Sequence, residues 1–201
     1  MSRWPATAIA TLEAAAARGW RAPEEARLGR WLLRAADGFT GRANSALAVG
    51  DPGMAVDAAV TEVCSWYRAR GLPPMIAVPY PADRPQDSTL DAYLGQSGWP
   101  ARAGAATVMT AAPDTAAAQV RDGDVRVDLD AEPDDEWLRL YRPRQQPLPP
   151  IARLLLLSAP WQSFGSVRQS GHTVAVGRVD EGLGFARHHG YHYRVAPAAP
   201  S

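Results

Sequence analysis

The chain has 201 residues, 46% hydrophobic and 21% charged, with 21 basic residues balanced by 21 acidic ones. This fits an ordinary globular protein with room for a sizeable core, and argues against a disordered chain, a membrane bundle or a generic electrostatic binder of nucleic acid. All 21 cations are arginine, which excludes a lysine Schiff base and any phosphate loop that needs lysine.

"MSRWPATAIATLEAAAARGW" is too polar for a signal peptide or a membrane span and suits an amphipathic helix. "GRWLLRAA" and "RANSALAV" are predicted strands of a hairpin, with "DGFTG" as the turn. Pro52 in "GDPG" is placed to open a helix. That helix carries Val56, Ala59, Val60, Val63, Trp66 and Tyr67 at three-to-four spacing and stops at Gly71. "PPMIAVPYP" is a short extended run, "DSTLDAYLGQSGW" a short helix ending at Gly98, and "ARAGAATVMTA" a strand. Residues 1–112 thus form one half, and 113–120, within "AAPDTAAAQ", have the composition of a linker.

The second half, 121–201, opens on the alternating strand "DVRVDLD". "EPDDEWLRLYR" is a helix with acids at its start, and "PLPPIARLLLLSAP" a shorter one. "WQSFGSVRQSGHTVAVGRV" is a hairpin turning at Ser170-Gly171, and "FARHHGYHYRVA" a terminal strand. Between them "EGLGF" has the form of a helix end with no helix before it.

The single Cys64, among Val63, Trp66 and Tyr67, is expected to be a buried structural thiol. One cysteine forms no internal disulfide, so a cytoplasmic location is the default. His188 and His192 have the spacing of helical zinc ligands. On a strand, however, residues four apart lie about 13 Å apart, so no metal site is expected. Asp128 and Asp130 share a strand face and could supply a general base. Arg42 and Asn44 point the same way along "GRANS" as candidate substrate contacts, with pinning of the hairpin as their other role. Trp31, Trp66, Trp99, Trp137 and Trp161 fall mostly on core positions. "GLGF" and "GQSGW" complete neither a dinucleotide fingerprint nor a nucleophile elbow.

The element order of the second half, with "GRWLLRAADGFTGRANSALAVGDPG" and the ending "LGFARHHGYHYR", resembles the GNAT superfamily of N-acetyltransferases. Within it the chain resembles a bacterial group that joins a degenerate N-terminal half to a working C-terminal one. The resemblance implies an α+β fold: a mixed, mostly antiparallel sheet flanked by helices. It implies transfer of an acetyl group from acetyl-CoA to a primary amine, on a small molecule or a peptide. The family holds the cofactor on a splayed fourth strand and on a loop of pattern Arg/Gln-x-x-Gly-x-Gly/Ala before a helix. Arg168–Gly171, Gln162–Gly165, Arg187–Gly190 and Arg68–Gly71 each satisfy the first spacing, but none completes the pattern ahead of a helix. Asp180 and Glu181 stand where the family often places a tyrosine acid.

By that resemblance the second half lacks its central strand-helix-strand unit, no residue is assigned to catalysis or cofactor binding, and transfer is expected to be impaired. The alternatives are a non-catalytic binding or dimerising protein and an internally deleted gene product. The truncated sheet should leave the second and third strands of that half unpaired on one side, so a homo-oligomer through open edges is expected. Neither nucleic acid nor a membrane is an expected partner.

Overall fold

The computed structural model describes residues 6–81, 88–110, 126–141, 147–179 and 186–198. The fold is α+β, as expected, with a six-stranded sheet and a three-stranded one. In chain order the first half contributes α1 (Ala6–Arg18), β1 (Glu24–Leu28), β2 (Trp31–Ala35), β3 (Ala46–Leu47), α2 (Val56–Arg68), β4 (Met75–Pro81), α3 (Thr89–Gln96) and β5 (Ala106–Thr110). The second contributes β6 (Val127–Asp130), α4 (Asp135–Leu140), α5 (Ile151–Leu156), β7 (Ser163–Gln169), β8 (His172–Val179) and β9 (Ala186–Val195). "EGLGF" and the residues 113–120 lie outside the described residues.

Alanine carries α1, because it gives up no side-chain entropy in a helix. Ile9, Glu13 and Ala17 form its buried stripe. Helix α2 buries Ala59, Val60, Val63 and Tyr67 of the expected face together with Cys64, while Val56 is exposed and Trp66 half-buried. It ends as the sequence predicts: Gly71 takes φ +65°, its N–H donates to Arg68 O, and Leu72 N–H donates to Tyr67 O. Helix α3 ends the same way at Gly98, with Trp99 N–H donating to Leu94 O. The Ser170-Gly171 turn of the β7–β8 hairpin has φ +52° and +80°, which matches the twist of its strands.

Three expectations change. The first hairpin joins β1 to β2 through Gly29-Arg30, so "EEARL" is a strand that the sequence reading passed over. Pro52 does not open α2, which starts at Val56; Pro52 packs on that turn instead, where a Cβ on Gly29 would stand 2.3 Å from the Pro52 carbonyl carbon. Finally, "GRANS" is a turn and not a strand, and only Leu32 and Leu47 pair across it. Trp161 is 75% exposed, whereas Trp31, Trp99 and Trp137 are core.

The strand order of the larger sheet is β1-β2-β3-β4-β9-β5. Strand β9, from the second half of the sequence, lies between β4 and β5 and runs antiparallel to both. Its register with β4 runs unbroken from Met75↔Val195 to Pro81↔His189. Close approach is needed at Gly190, where a Cβ would sit 2.5 Å from the Tyr80 ring. One face of the sheet packs Trp31, Leu33, Ile76 and Val78 against α2, and Leu94 and Trp99 join the same cluster. The other face carries α1 over Leu32, Leu47 and Ala77. Leu155 of α5 packs with Ala22, Ala36 and Ala43, which joins the two halves.

In the smaller sheet β7 is central, paired with β6 and with β8, so it is not left open. Strand β8 has no partner on its outer side among the described residues. Leu129, 65% exposed, and Val127 stand on the same face of this sheet as Gly165.

Two measurements follow. Gly190→Ala should lower stability by about 1–3 kcal/mol in urea denaturation, the usual cost of overpacking. Gly177→Ala, with nothing within 4 Å of the added Cβ, should change it far less. Light scattering should find self-association; a clean monomer at high concentration would count against the open edge.

Candidate functional site

Two arrangements bring together side chains capable of chemistry. The first lies beneath α1. Glu13, inside the buried stripe of α1, accepts from His189 Nε2 at 2.9 Å and faces Arg42 Nη2 at 3.5 Å. His189 is 0% exposed. Its Nδ1 lies 2.9 Å from Nδ1 of His188. Adjacent strand residues normally face opposite ways. Here β9 is bulged against β5: Val108 pairs with His189 and Met109 with Arg187, leaving His188 as the extra residue. The bulge lets both rings meet.

Bonding logic assigns the protons. The Glu13 carboxylate only accepts, so His189 Nε2 carries a hydrogen; in neutral rings His189 Nδ1 then accepts and His188 Nδ1 donates. Burial pushes the Glu13 carboxyl up, but the His189 hydrogen bond and the charges of Arg42, His189 and Arg34 outweigh it and hold the group below its ordinary value. Burial, then His189, lowers the His188 pKa.

Arg34, 1% exposed, completes the cluster from β2. Its Nε and Nη2 donate to Ser45 O and Oγ, each at 3.2 Å, while Nη1 is buried without a hydrogen-bond partner among the described residues. Tyr67 clamps its backbone: the hydroxyl donates to Arg34 O at 2.9 Å and accepts from Arg34 N–H at 3.2 Å. Burial pushes the Tyr67 hydroxyl up to about 12. None of Glu13, Arg34, Arg42, His188 and His189 lines the junction cavity or the groove at the β1–β2 corner. The cluster ties β2, β9 and the turn between β2 and β3 to α1.

The second arrangement is a cavity of about 720 Å³ where the two halves meet. Thr40, Asn44, Met75 and Arg102 line it from the first half, and Pro147 and Pro149 from the second. The Asn44 amide holds its wall: Oδ1 accepts from Ala36 N–H and Gly38 N–H, and Nδ2 donates to Ala36 O and Thr40 O. All four bonds go to backbone, and they draw "GRANS" out of the strand ladder. The two substrate candidates therefore part company. Asn44 shapes the cavity wall, while Arg42 reaches Glu13 and lies 5.7 Å over the Tyr191 ring.

The other candidates disperse. Asp128 is neutralised by Arg126 at 3.0 Å and Arg168 at 3.6 Å, and Asp130 is exposed. His192 does not face His188; it bonds Asp91 of α3 at 2.6 Å. Asp91 also takes Arg194 Nε at 2.7 Å, and Arg194 before all else holds that carboxyl low. No group of three His, Cys, Asp or Glu is arranged for a metal among the described residues. Cys64 is buried, and burial raises its thiol. Arg168–Gly171 and Gln162–Gly165 lie in the β7–β8 hairpin, and Arg68–Gly71 closes α2, so none of these precedes a helix. The sequence reading missed Glu13, Arg34 and Tyr67. A polar residue at a buried position of each apolar pattern was the available signal.

These features define an α+β protein whose larger sheet is completed by its own late strand. The chain belongs to the family described as probable histone acetyltransferase Rv0428c C-terminal, whose family model matches residues 6–180. It is 36% identical over 142 residues to the "Probable histone acetyltransferase Rv0428c" of Mycobacterium tuberculosis (strain ATCC 25618 / H37Rv). That match covers 68% of this chain and 39% of the relative, so the chain spans about two fifths of the relative's length. No solved structure matches it. Among the described residues no helix is long and apolar enough to cross a membrane.

Glu13 gives the site its pH dependence. A carboxyl held lower in the folded state than in the unfolded chain stabilises the fold fully above its ordinary value of 4.5, and that contribution is lost as pH falls below it. Denaturation followed from pH 7 to 3 should show this acid-labile component, and Glu13→Gln should remove it. The same variant should cost about 1–3 kcal/mol at pH 7, the usual effect of weakening a buried polar pair.

Proposed function

We propose that the chain is an acetyltransferase-family protein of the GNAT type, built to take an acetyl group from acetyl-CoA to a primary amine, and that transfer in this chain is impaired. The observation that carries this reading is the family match over residues 6–180, with the relative named a probable histone acetyltransferase. The element order and the "FTGRANS" loop support it. In the reaction the deprotonated amine attacks the thioester carbonyl and the thiolate leaves, while backbone amides stabilise the developing oxyanion. The junction cavity is the place for the acceptor, a small-molecule or peptide amine, with Asn44 holding its wall and Arg102 as its cation. Arg42 contributes through Glu13 and α1. A cytoplasmic location belongs to this proposal.

One observation favours a second reading, a non-catalytic binding or dimerising protein. Strand β8 is followed in the described residues by β9, which joins β4 and β5 and not the smaller sheet, so the strand that the resemblance assigns to the pantetheine arm has no counterpart among the described residues.

Calorimetric titration of the folded chain with acetyl-CoA, with desulfo-CoA as comparison, separates the two. Saturable binding at micromolar strength, followed by acetylation of an amine panel, is the outcome expected of a transferase. No heat from a chain shown to be folded would retire acetyl transfer and leave the binding protein.

A further inference from the structure

The sheet face that carries α1 holds a second groove, of about 440 Å³, at the β1–β2 corner. That volume suits a small organic ligand. Four arginines converge on it from separate pieces of chain: Arg18 from the last turn of α1, Arg21 from the connection to β1, Arg27 from β1 and Arg30 from the β1–β2 turn. Among the described residues none of the four side chains makes an ion pair or a hydrogen bond. Elsewhere Arg70, Arg153, Arg168 and Arg194 each hold a carboxylate.

The chain as a whole is neutral, so this is segregated charge and not an overall excess. Like charges gathered around one concavity repel each other unless an anion joins them. Glu25 is the one acid in the lining. The floor is apolar, made by Leu32 and Leu47, and α1 meets it with Ala10 and Ala14, which leave the space unfilled. Guanidinium forks match phosphate oxygens bidentately, and an apolar floor accepts the body of the same ligand.

We propose that this groove binds a phosphorylated small molecule that carries a diphosphate and an apolar or planar body. The four arginines take the diphosphate, and the alanine wall of α1 takes the body. Acetyl transfer does not require this site, and no residue lines both it and the junction cavity.

The test is calorimetric titration of the full chain with ADP and with inorganic pyrophosphate. Each ligand should bind saturably, ADP more tightly. In the double variant Arg27→Gln/Arg30→Gln the Kd should rise about tenfold or more, as expected when charge-assisted hydrogen bonds are lost. The control Arg68→Gln/Arg139→Gln removes the same net charge from exposed positions elsewhere and should leave the Kd within about twofold, since screened distant charges contribute little. Absence of saturable heat from either ligand with a folded wild-type chain overturns the site. Equal weakening in both variants overturns it as well, since net charge alone would then explain the binding.

Discussion

The ladder between β4 and β9 is the constraint on which the rest of this molecule depends. Strand β9 supplies the partner that β4 and β5 would otherwise lack, and it satisfies main-chain groups on both. It also delivers side chains to both faces. Toward α1 it brings His189 to Glu13 and Tyr193 under the loop glycine Gly41, where a Cβ would stand 3.0 Å from the ring. Toward α3 it brings His192 and Arg194 to Asp91. Without β9 two carboxylates would lose their principal partners and the larger sheet would split in two.

The polar cluster shows what such a closure demands. Two guanidiniums, Arg34 and Arg42, and one carboxylate, Glu13, are gathered beneath α1, and burial followed by Arg42 lowers the Arg34 pKa. Removing charges from water is costly unless hydrogen bonds replace the lost solvation. Ser45 supplies two such bonds to Arg34 and His189 one to Glu13, while Arg34 Nη1 and Arg42 Nε and Nη2 have none among the described residues. The cluster ties α1 to the sheet below through Glu13, which bonds His189 and faces Arg42. Such a network specifies an arrangement more than it adds net stability.

Local features of this fold were legible where the backbone rule is local. Gly71 and Gly98 end their helices because only a residue tolerant of positive φ closes such a cap, and Ser170-Gly171 turns its hairpin for the same reason. The core face of α2 was legible from its spacing. The destination of β9 was not: "FARHHGYHYRVA" specifies a strand but carries no mark of which sheet it joins. Arg42 and Asn44 were read as candidate substrate contacts on one strand face, but the alternation assumed for a strand misplaced them, because the Asn44 amide turns the chain there. Glu13 was hidden because a single acid in an alanine-rich helix looks like solvent-facing charge. Its partner is a histidine from the far end of the chain, and no local pattern announces such a pair.

The position of β9 also bears on how the chain reaches this state. Ile76 and Arg194 are neighbours in space but stand 118 residues apart in the sequence. The first half therefore emerges with β4 and β5 as incomplete edges and keeps them so until the late strand arrives. Contacts of such long sequence separation incur their loop-closure entropy before any stabilisation accrues, which makes folding slow. During that interval the slot between β4 and β5 accepts any extended segment of matching pattern, including the β9 of a second molecule. A strand exchange of that kind, set by the order of synthesis and by concentration, is the characteristic misassembly of this topology.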